Sequence, residues 1–244
     1  MFRAFRAVSV VDVMHERLRV LRLFAVPIFA TVVFGCGADR EPAAPPSNAA
    51  PLLQVAPDRP RIVVLGDSIT AGLGLLSEQS YPAILQQRLD ADGYDFEVIN
   101  AGVSGDTSAG GLRRLDWALD GDVRILIIAL GGNDGLRGLP PEEMRRNLAA
   151  IIERAQARQI GVVLAGMEAP PNFGPDYTRR FRQAFQELAV GDKVAFVPFL
   201  LDGVAGVAGL NQADGIHPTA DGARIVADHV WATLKPVVDA VSTQ

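Results

Sequence analysis

Short aliphatic runs alternate with helix-forming stretches from residue 61 onward, and this alternation limits the folds open to the chain. The aliphatic runs predict five strands, at 61–66, 95–100, 123–130, 160–166 and 194–198. The other stretches predict helices near 80–91, 108–119, 140–159, 176–190 and 219–234. The alternation indicates a parallel sheet with helices on both faces. Because the run at 123–130 is almost wholly aliphatic, we expect it to be a central strand covered on both sides.

The segment before residue 37 resembles an export signal. A basic stretch at 17–22 precedes 12 uncharged apolar residues at 23–34, which is short for a bilayer span but typical of a signal-peptide core. We therefore predict a signal peptide over 1–36. Its end is similar to a bacterial lipoprotein signal, whose cleavage leaves an acylated cysteine, here Cys36, at the new N-terminus. An ordinary secretory signal or a retained anchor is the alternative, and Met14 is an alternative start to Met1.

The composition of the chain indicates its domain bounds, its cellular compartment and the classes of partner it can bind. Residues 37–60 are rich in Ala and Pro and predict a semi-extended linker, which leaves a folded domain at 61–238 and a tail at 239–244. Beyond residue 35 the chain has 18 basic and 26 acidic residues, so we expect no nucleic-acid partner. Cys36 is the only cysteine, which excludes an internal disulfide. We expect an exported protein of the periplasm or cell envelope, in contact with a membrane only through a lipid anchor at Cys36.

A candidate nucleophile, Ser68, follows the first predicted strand in the sequence Gly66-Asp67-Ser68. In an open parallel sheet, the carboxyl end of a strand is where ligand chemistry is placed. A serine nucleophile needs a base held by a carboxylate, and His217 with Asp214 three residues earlier can supply both. Of the other histidines, His15 lies in the N-terminal segment and His229 lies in the middle of a helix, where we expect a structural role.

Two further blocks follow the second and third strands and supply candidate donors for a tetrahedral oxyanion. The backbone amides of Ser68 and Gly102 are two such donors. The side-chain amide of Asn133, which follows a pair of glycines, is the third.

Polar neighbours of these residues are expected to support the site. We expect Asp67 to bond neighbouring backbone, Asn100 to bond across the loops, and Asp134 to cap the short helix after Asn133. A carboxylate metal site built from Asp67, Asp106 and Asp134 is the alternative. We expect neither a metal nor another cofactor.

Together these blocks resemble the SGNH/GDSL hydrolase superfamily over nearly all of 61–235. More of the sequence is similar to its subgroup of bacterial arylesterases and thioesterase I/lysophospholipase L1, namely Tyr81-Pro82-Ala83, 100–107, 130–138 and 166–177. Ile69 stands where the family has leucine, a change that conserves volume. The resemblance implies a flavodoxin-like three-layer α/β/α sandwich with a five-stranded parallel sheet.

The resemblance also implies a serine esterase that hydrolyses acyl esters or thioesters through an acyl-enzyme intermediate. Ser68 would be the nucleophile, His217 the base and Asp214 its orienting acid. Ser68, Gly102 and Asn133 would form the oxyanion hole. The implied substrates are small-molecule acyl esters or lysophospholipids. A carbohydrate O-acetylesterase and a non-catalytic envelope lipoprotein on the same fold are the alternatives.

Apolar segments at 73–77, 136–139 and 170–175 flank these blocks and predict a groove for acyl or aryl groups. Four arginines are instead predicted to lie on solvated helix faces: Arg113, Arg114, Arg145 and Arg146.

Overall fold

The computed structural model describes residues 59–243, so the predicted signal peptide, Cys36 and nearly all of the linker lie outside the described residues. The described chain forms one parallel sheet with the order β2-β1-β3-β4-β5. Residues 125–128 of the central strand have no exposed surface, as their aliphatic run predicted. The strands are β1 (Arg61–Gly66), β2 (Glu97–Gly102), β3 (Val123–Ala129), β4 (Gly161–Ala165) and β5 (Ala195–Val197).

Helices cover both faces of this sheet in two layers. In chain order they are α1 (Ser68–Ala71), α2 (Tyr81–Ala91), α3 (Ser108–Arg113), α4 (Leu115–Ala118), α5 (Gly132–Leu136), α6 (Pro141–Ala157), α7 (Pro175–Gly191) and α8 (Ala220–Ser242). Helices α2 and α8 pack on each other, and α6 packs on both α3 and α7. The three-layer α/β/α architecture is therefore confirmed. No helix within residues 59–243 combines the length and the apolarity needed to cross a membrane.

Two helices differ from the sequence prediction. The single helix expected at 108–119 is interrupted at Arg114, whose backbone leaves helical geometry (φ −103°, ψ 9°). The last helix continues beyond the expected end at Leu234 to Ser242, with Pro236 inside it. Proline removes one backbone donor from a helix. Leu234 and Val238, which flank Pro236, are both fully buried, so their packing stabilises the helix beyond the proline.

The order of the strands places the carboxyl ends of β1 and β3 at a switch point. The chain runs from β1 to its neighbour β2 on one side and then to β3 on the other side. Connections that leave a parallel sheet in opposite directions open a crevice between two adjacent strands, and ligands bind there. Ser68 begins the helix that follows β1, and Asn133 is the second residue of the helix that follows β3.

Candidate active site

Ser68 is the first residue of α1 and lines the crevice, with 9% of its surface exposed. Asp67 caps this helix, since its Oδ1 accepts a hydrogen bond of 3.0 Å from the Ile69 amide. The cap confirms the expected bond of Asp67 to neighbouring backbone. It also fixes the direction in which Ser68 leaves the strand.

The side chains of Ser68, His217 and Asp214 form an unbroken hydrogen-bonded chain. Nε2 of His217 lies 2.8 Å from Oγ of Ser68, and Nδ1 lies 2.6 Å from Oδ2 of Asp214. An ionised carboxylate can only accept, so Nδ1 carries the proton and Nε2 is left to accept from the serine hydroxyl. This is the arrangement that activates a hydroxyl for attack.

Asp214 is held in its ionised form by donors on its own loop. The hydrogen bond from His217 lowers the pKa of the Asp214 carboxyl to about 2, and the amides of Ile216 and His217, at 2.9 and 3.0 Å from Oδ1, add to the effect. Gln212 ties this loop to the one after α1, because its side-chain amide donates to the Leu73 carbonyl at 2.7 Å. The acid and base are therefore fixed relative to the end of β1.

Asn133 reaches the same crevice from the loop after β3. Its Nδ2 donates to Oδ2 of Asp67 at 3.2 Å, which fixes the amide beside Ser68 and leaves its other hydrogen free for an acceptor in the crevice. Asp67 is only 3% exposed. Burial raises the pKa of its carboxyl to about 6, although the bonds from Ile69 and Asn133 oppose the shift.

Gly102 does not reach the crevice, which corrects the sequence assignment. It is the last residue of β2, and its amide already donates to Oδ1 of Asn100 at 3.0 Å. Its Cα packs against α1 so closely that a Cβ would lie 2.3 Å from the Ala71 nitrogen. The glycine is needed for packing between β2 and α1.

Gly105 lies where Gly102 was expected. It lines the cavity together with Ser104 and Asn133 and has a positive φ of 83°. Within the described residues its amide bonds to no acceptor, and its carbonyl accepts from Arg137 at 2.8 Å. The backbone amide of Asp106 donates to the Val103 carbonyl at 3.0 Å, which closes a turn over residues 103–106. The third residue of such a turn favours glycine, so the glycine at 105 was the available sequence signal.

The other polar neighbours connect one loop to another. Asn100 donates to the Thr70 carbonyl at 2.8 Å, so it bonds across the loops as expected. Asp134 does not cap its own helix: its two oxygens accept from the amide and hydroxyl of Ser108, at 2.8 and 2.6 Å. The reason is that Asp134 is 2% exposed and faces the start of α3, where unpaired amides need an acceptor.

Metal-binding geometry is not found among residues 59–243, where no group of three or more His, Asp or Glu side chains converges. The three carboxylates considered for such a site each face protein donors: Asp67, Asp106 and Asp134.

The crevice opens into a cavity of about 540 Å³ with mostly apolar walls. Leu73, Leu136 and the prolines at 170–171 line it, as the flanking segments predicted. The sequence interpretation missed the contributions of Met167, of Ile216 and of the loop after β5. That loop adds Phe199, Leu201 and Ala205.

Comparison with known proteins agrees with this fold. Residues 64–225 match the GDSL-like lipase/acylhydrolase family. Esterase TesA of Pseudomonas aeruginosa is 47% identical over 178 residues, which cover 72% of this chain and 89% of that protein. Thioesterase 1/protease 1/lysophospholipase L1 of Escherichia coli is 34% identical, over 73% of this chain and 85% of that protein. The crystal structure of TesA matches with a TM-score of 0.70 and covers 72% of this chain and 99% of that one. The chain belongs to the GDSL-like lipase/acylhydrolase family and is a carboxylic ester hydrolase.

Proposed function

We propose that Ser68 attacks the carbonyl carbon of acyl esters or thioesters and that His217 and Asp214 activate it. The supporting observation is the hydrogen-bonded chain from Asp214 through His217 to Ser68, which ends in a cavity with apolar walls. A bond forms between Oγ and the carbonyl carbon while Nε2 takes the hydroxyl proton. The bond to the leaving group then breaks, and that group takes the proton from Nε2. Water repeats the sequence on the acyl-enzyme and releases the acid.

The oxyanion that forms in each step needs preorganised donors. We assign them to the backbone amides of Ser68 and Gly105 and the side-chain amide of Asn133. Gly105 replaces Gly102 because Gly105 lines the cavity and its amide bonds to no acceptor among residues 59–243, whereas the Gly102 amide is bonded to Asn100. Asp67 orients the Asn133 amide through the 3.2 Å hydrogen bond.

The apolar cavity favours substrates with an aliphatic or aryl acyl group, lysophospholipids among them. A cavity of about 540 Å³ is within the range of sites that enclose a small molecule. An O-acetylesterase acting on sugars has only a methyl group to bury, so these walls would offer it little. A substrate panel that crosses acyl length with aryl, thiol, glycerol and sugar leaving groups tests the assignment. Activity confined to acetylated sugars would reject it.

The nucleophile is tested by Ser68→Ala. This variant should keep the wild-type circular dichroism and melting temperature, lose ester hydrolysis and no longer react with a fluorophosphonate probe. Full activity in the folded variant would reject the proposal.

We further propose that the protein is exported and held by a lipid at Cys36. The support is the basic and apolar pattern before Cys36 and the Ala/Pro-rich linker after it. Metabolic labelling with an alkyne fatty acid should mark the wild-type protein in the membrane fraction. Cys36→Ser should be unlabelled, and equal labelling of both proteins would reject the assignment.

A further inference from the structure

Arg114 is not the solvated side chain that its sequence context predicted. It lies at the break between α3 and α4, and its side chain is 17% exposed. Its Nε donates to Oδ2 of Asp106 at 2.6 Å, and one terminal nitrogen donates to the Gly66 carbonyl at 2.9 Å. One guanidinium thus joins two loops that are 40 residues apart in sequence.

Both acceptors lie next to residues of the proposed site. Gly66 ends β1 two residues before Ser68, and Asp106 directly follows Gly105. The Gly66 carbonyl also accepts from the Val103 amide at 3.0 Å, at the start of the turn that contains Gly105. The Gly66 carbonyl thus binds the start of this turn directly, through the Val103 amide, and the end of the turn through Arg114 and Asp106.

The sequence of α3 leaves room for this ion pair. A Cβ at Gly110 would lie 2.5 Å from Oδ1 of Asp106. Glycine inside a helix costs roughly 0.5–1 kcal/mol relative to alanine. Gly110 therefore lowers the stability of α3, but it leaves the space that the Asp106 carboxylate occupies beside the helix.

We propose that Arg114 is a positioning residue that holds the Gly105 amide at the correct distance from Ser68. The proposal rests on the function assigned above, in which that amide stabilises the oxyanion. Oxyanion donors act through fixed geometry, and a displacement of about 1 Å can lower a rate about 100-fold. Arg114 is not proposed to contact the substrate. Its loss should therefore reduce the stabilisation of the transition state and leave the affinity for the substrate unchanged.

The test compares Arg114→Gln with Arg113→Gln in the full-length protein. Glutamine lacks the charge and the Nε donor that Arg114 offers to Asp106, whereas Arg113 is exposed and serves as the matched control. With an aryl ester, Arg114→Gln should lower kcat about 10- to 100-fold and change KM less than about twofold. A trifluoromethyl ketone, whose adduct with Ser68 carries an oxyanion, should bind more weakly by the same factor as kcat falls. Arg113→Gln should match the wild type in all three measurements.

Further variants keep the proposal testable if Arg114→Gln does not fold. Asp106→Asn removes the carboxylate charge, and Gly110→Ala crowds the carboxylate, so each should lower kcat and inhibitor affinity together. Arg114→Lys, which keeps the charge, should recover part of the loss. If folded Arg114→Gln, or the two other variants in its place, keeps wild-type kcat and inhibitor affinity, the positioning role is wrong. If Ser68→Ala remains active, the proposed function itself is wrong.

Discussion

The buried carboxyl of Asp67 predicts a measurable dependence of stability on pH. Its pKa rises from an ordinary value of 3.8 to about 6 in the folded protein, chiefly because burial removes water from the charged form. A shift of about two units corresponds to about 3 kcal/mol. Between these two pH values the folded protein binds the proton and the unfolded chain does not. Asp67 therefore destabilises the fold above pH 6 and contributes increasing stability as the pH falls from 6 toward 4.

Replacing Asp67 with asparagine should remove this dependence. Urea unfolding of wild type and Asp67→Asn would be compared at intervals from pH 4 to pH 8. The free energy of unfolding of the wild type, minus that of the variant, should rise by up to about 3 kcal/mol as the pH falls across this range. Burial also raises the pKa of Asp134, but that group titrates in both proteins and cancels in the difference.

Isotope-edited NMR of the Asp67 carboxyl can show whether this group causes the change in stability with pH. The midpoint of its titration should lie near pH 6. The positive charge of a protonated His217 ring favours the Asp67 carboxylate and so lowers the pKa of Asp67. A His217→Asn background should therefore move the midpoint upward. A flat difference in stability together with a midpoint near pH 4 would refute the argument from burial.

Three further substitutions have outcomes that the structure fixes. Asp214→Asn should lower kcat for an aryl ester by about 10³- to 10⁴-fold, because an amide cannot hold the His217 ring in the required tautomer. In the wild type the Asp214 carboxyl has a pKa of about 2, so its protonation should cause no loss of activity between pH 4 and pH 7. Tyr81→Phe leaves the buried Thr70 hydroxyl without its partner at 2.7 Å and should cost about 1–3 kcal/mol in urea unfolding. Gly102→Ala should lower the melting temperature, because the new methyl group would overlap the Ala71 backbone.

The sheet and the acid–base pair could be predicted from the sequence because both depend on local patterns. A parallel strand covered on both faces must be aliphatic along its whole length, and 123–130 meets that condition. Asp214 and His217 are three residues apart in one loop, so their contact needs little tertiary information. The strand ends depend on more than local pattern: β2 was expected at 95–100 but spans Glu97–Gly102. That shift of two residues put Gly102 in the sheet and moved the cavity-lining glycine to position 105.

The contacts missed by the sequence interpretation join residues far apart in the chain. Nothing near Arg114 indicates that its partners are Asp106 and the Gly66 carbonyl, since an arginine on a short helix is usually solvated. Asp134 similarly has the local pattern of a helix cap, but its partner Ser108 lies 26 residues away. Such pairings depend on how the loops pack, and single-sequence patterns carry no signal for them.

These long-range contacts share one feature: each of the three residues proposed as oxyanion donors has an aspartate beside it that connects it to a different loop. Asp67, before Ser68, bonds to Asn133 after β3. Asp134, after Asn133, bonds to Ser108 after β2.

Asp106, after Gly105, completes the set through Arg114, which bonds to the Gly66 carbonyl at the end of β1. The three loops are thus joined pairwise in a closed ring. Burying Asp67 and Asp134 opposes folding, since burial raises the pKa of both carboxyls. A cost of this kind is expected where donors must be held in place before the reaction begins, because preorganised dipoles stabilise an oxyanion only if they do not need to move.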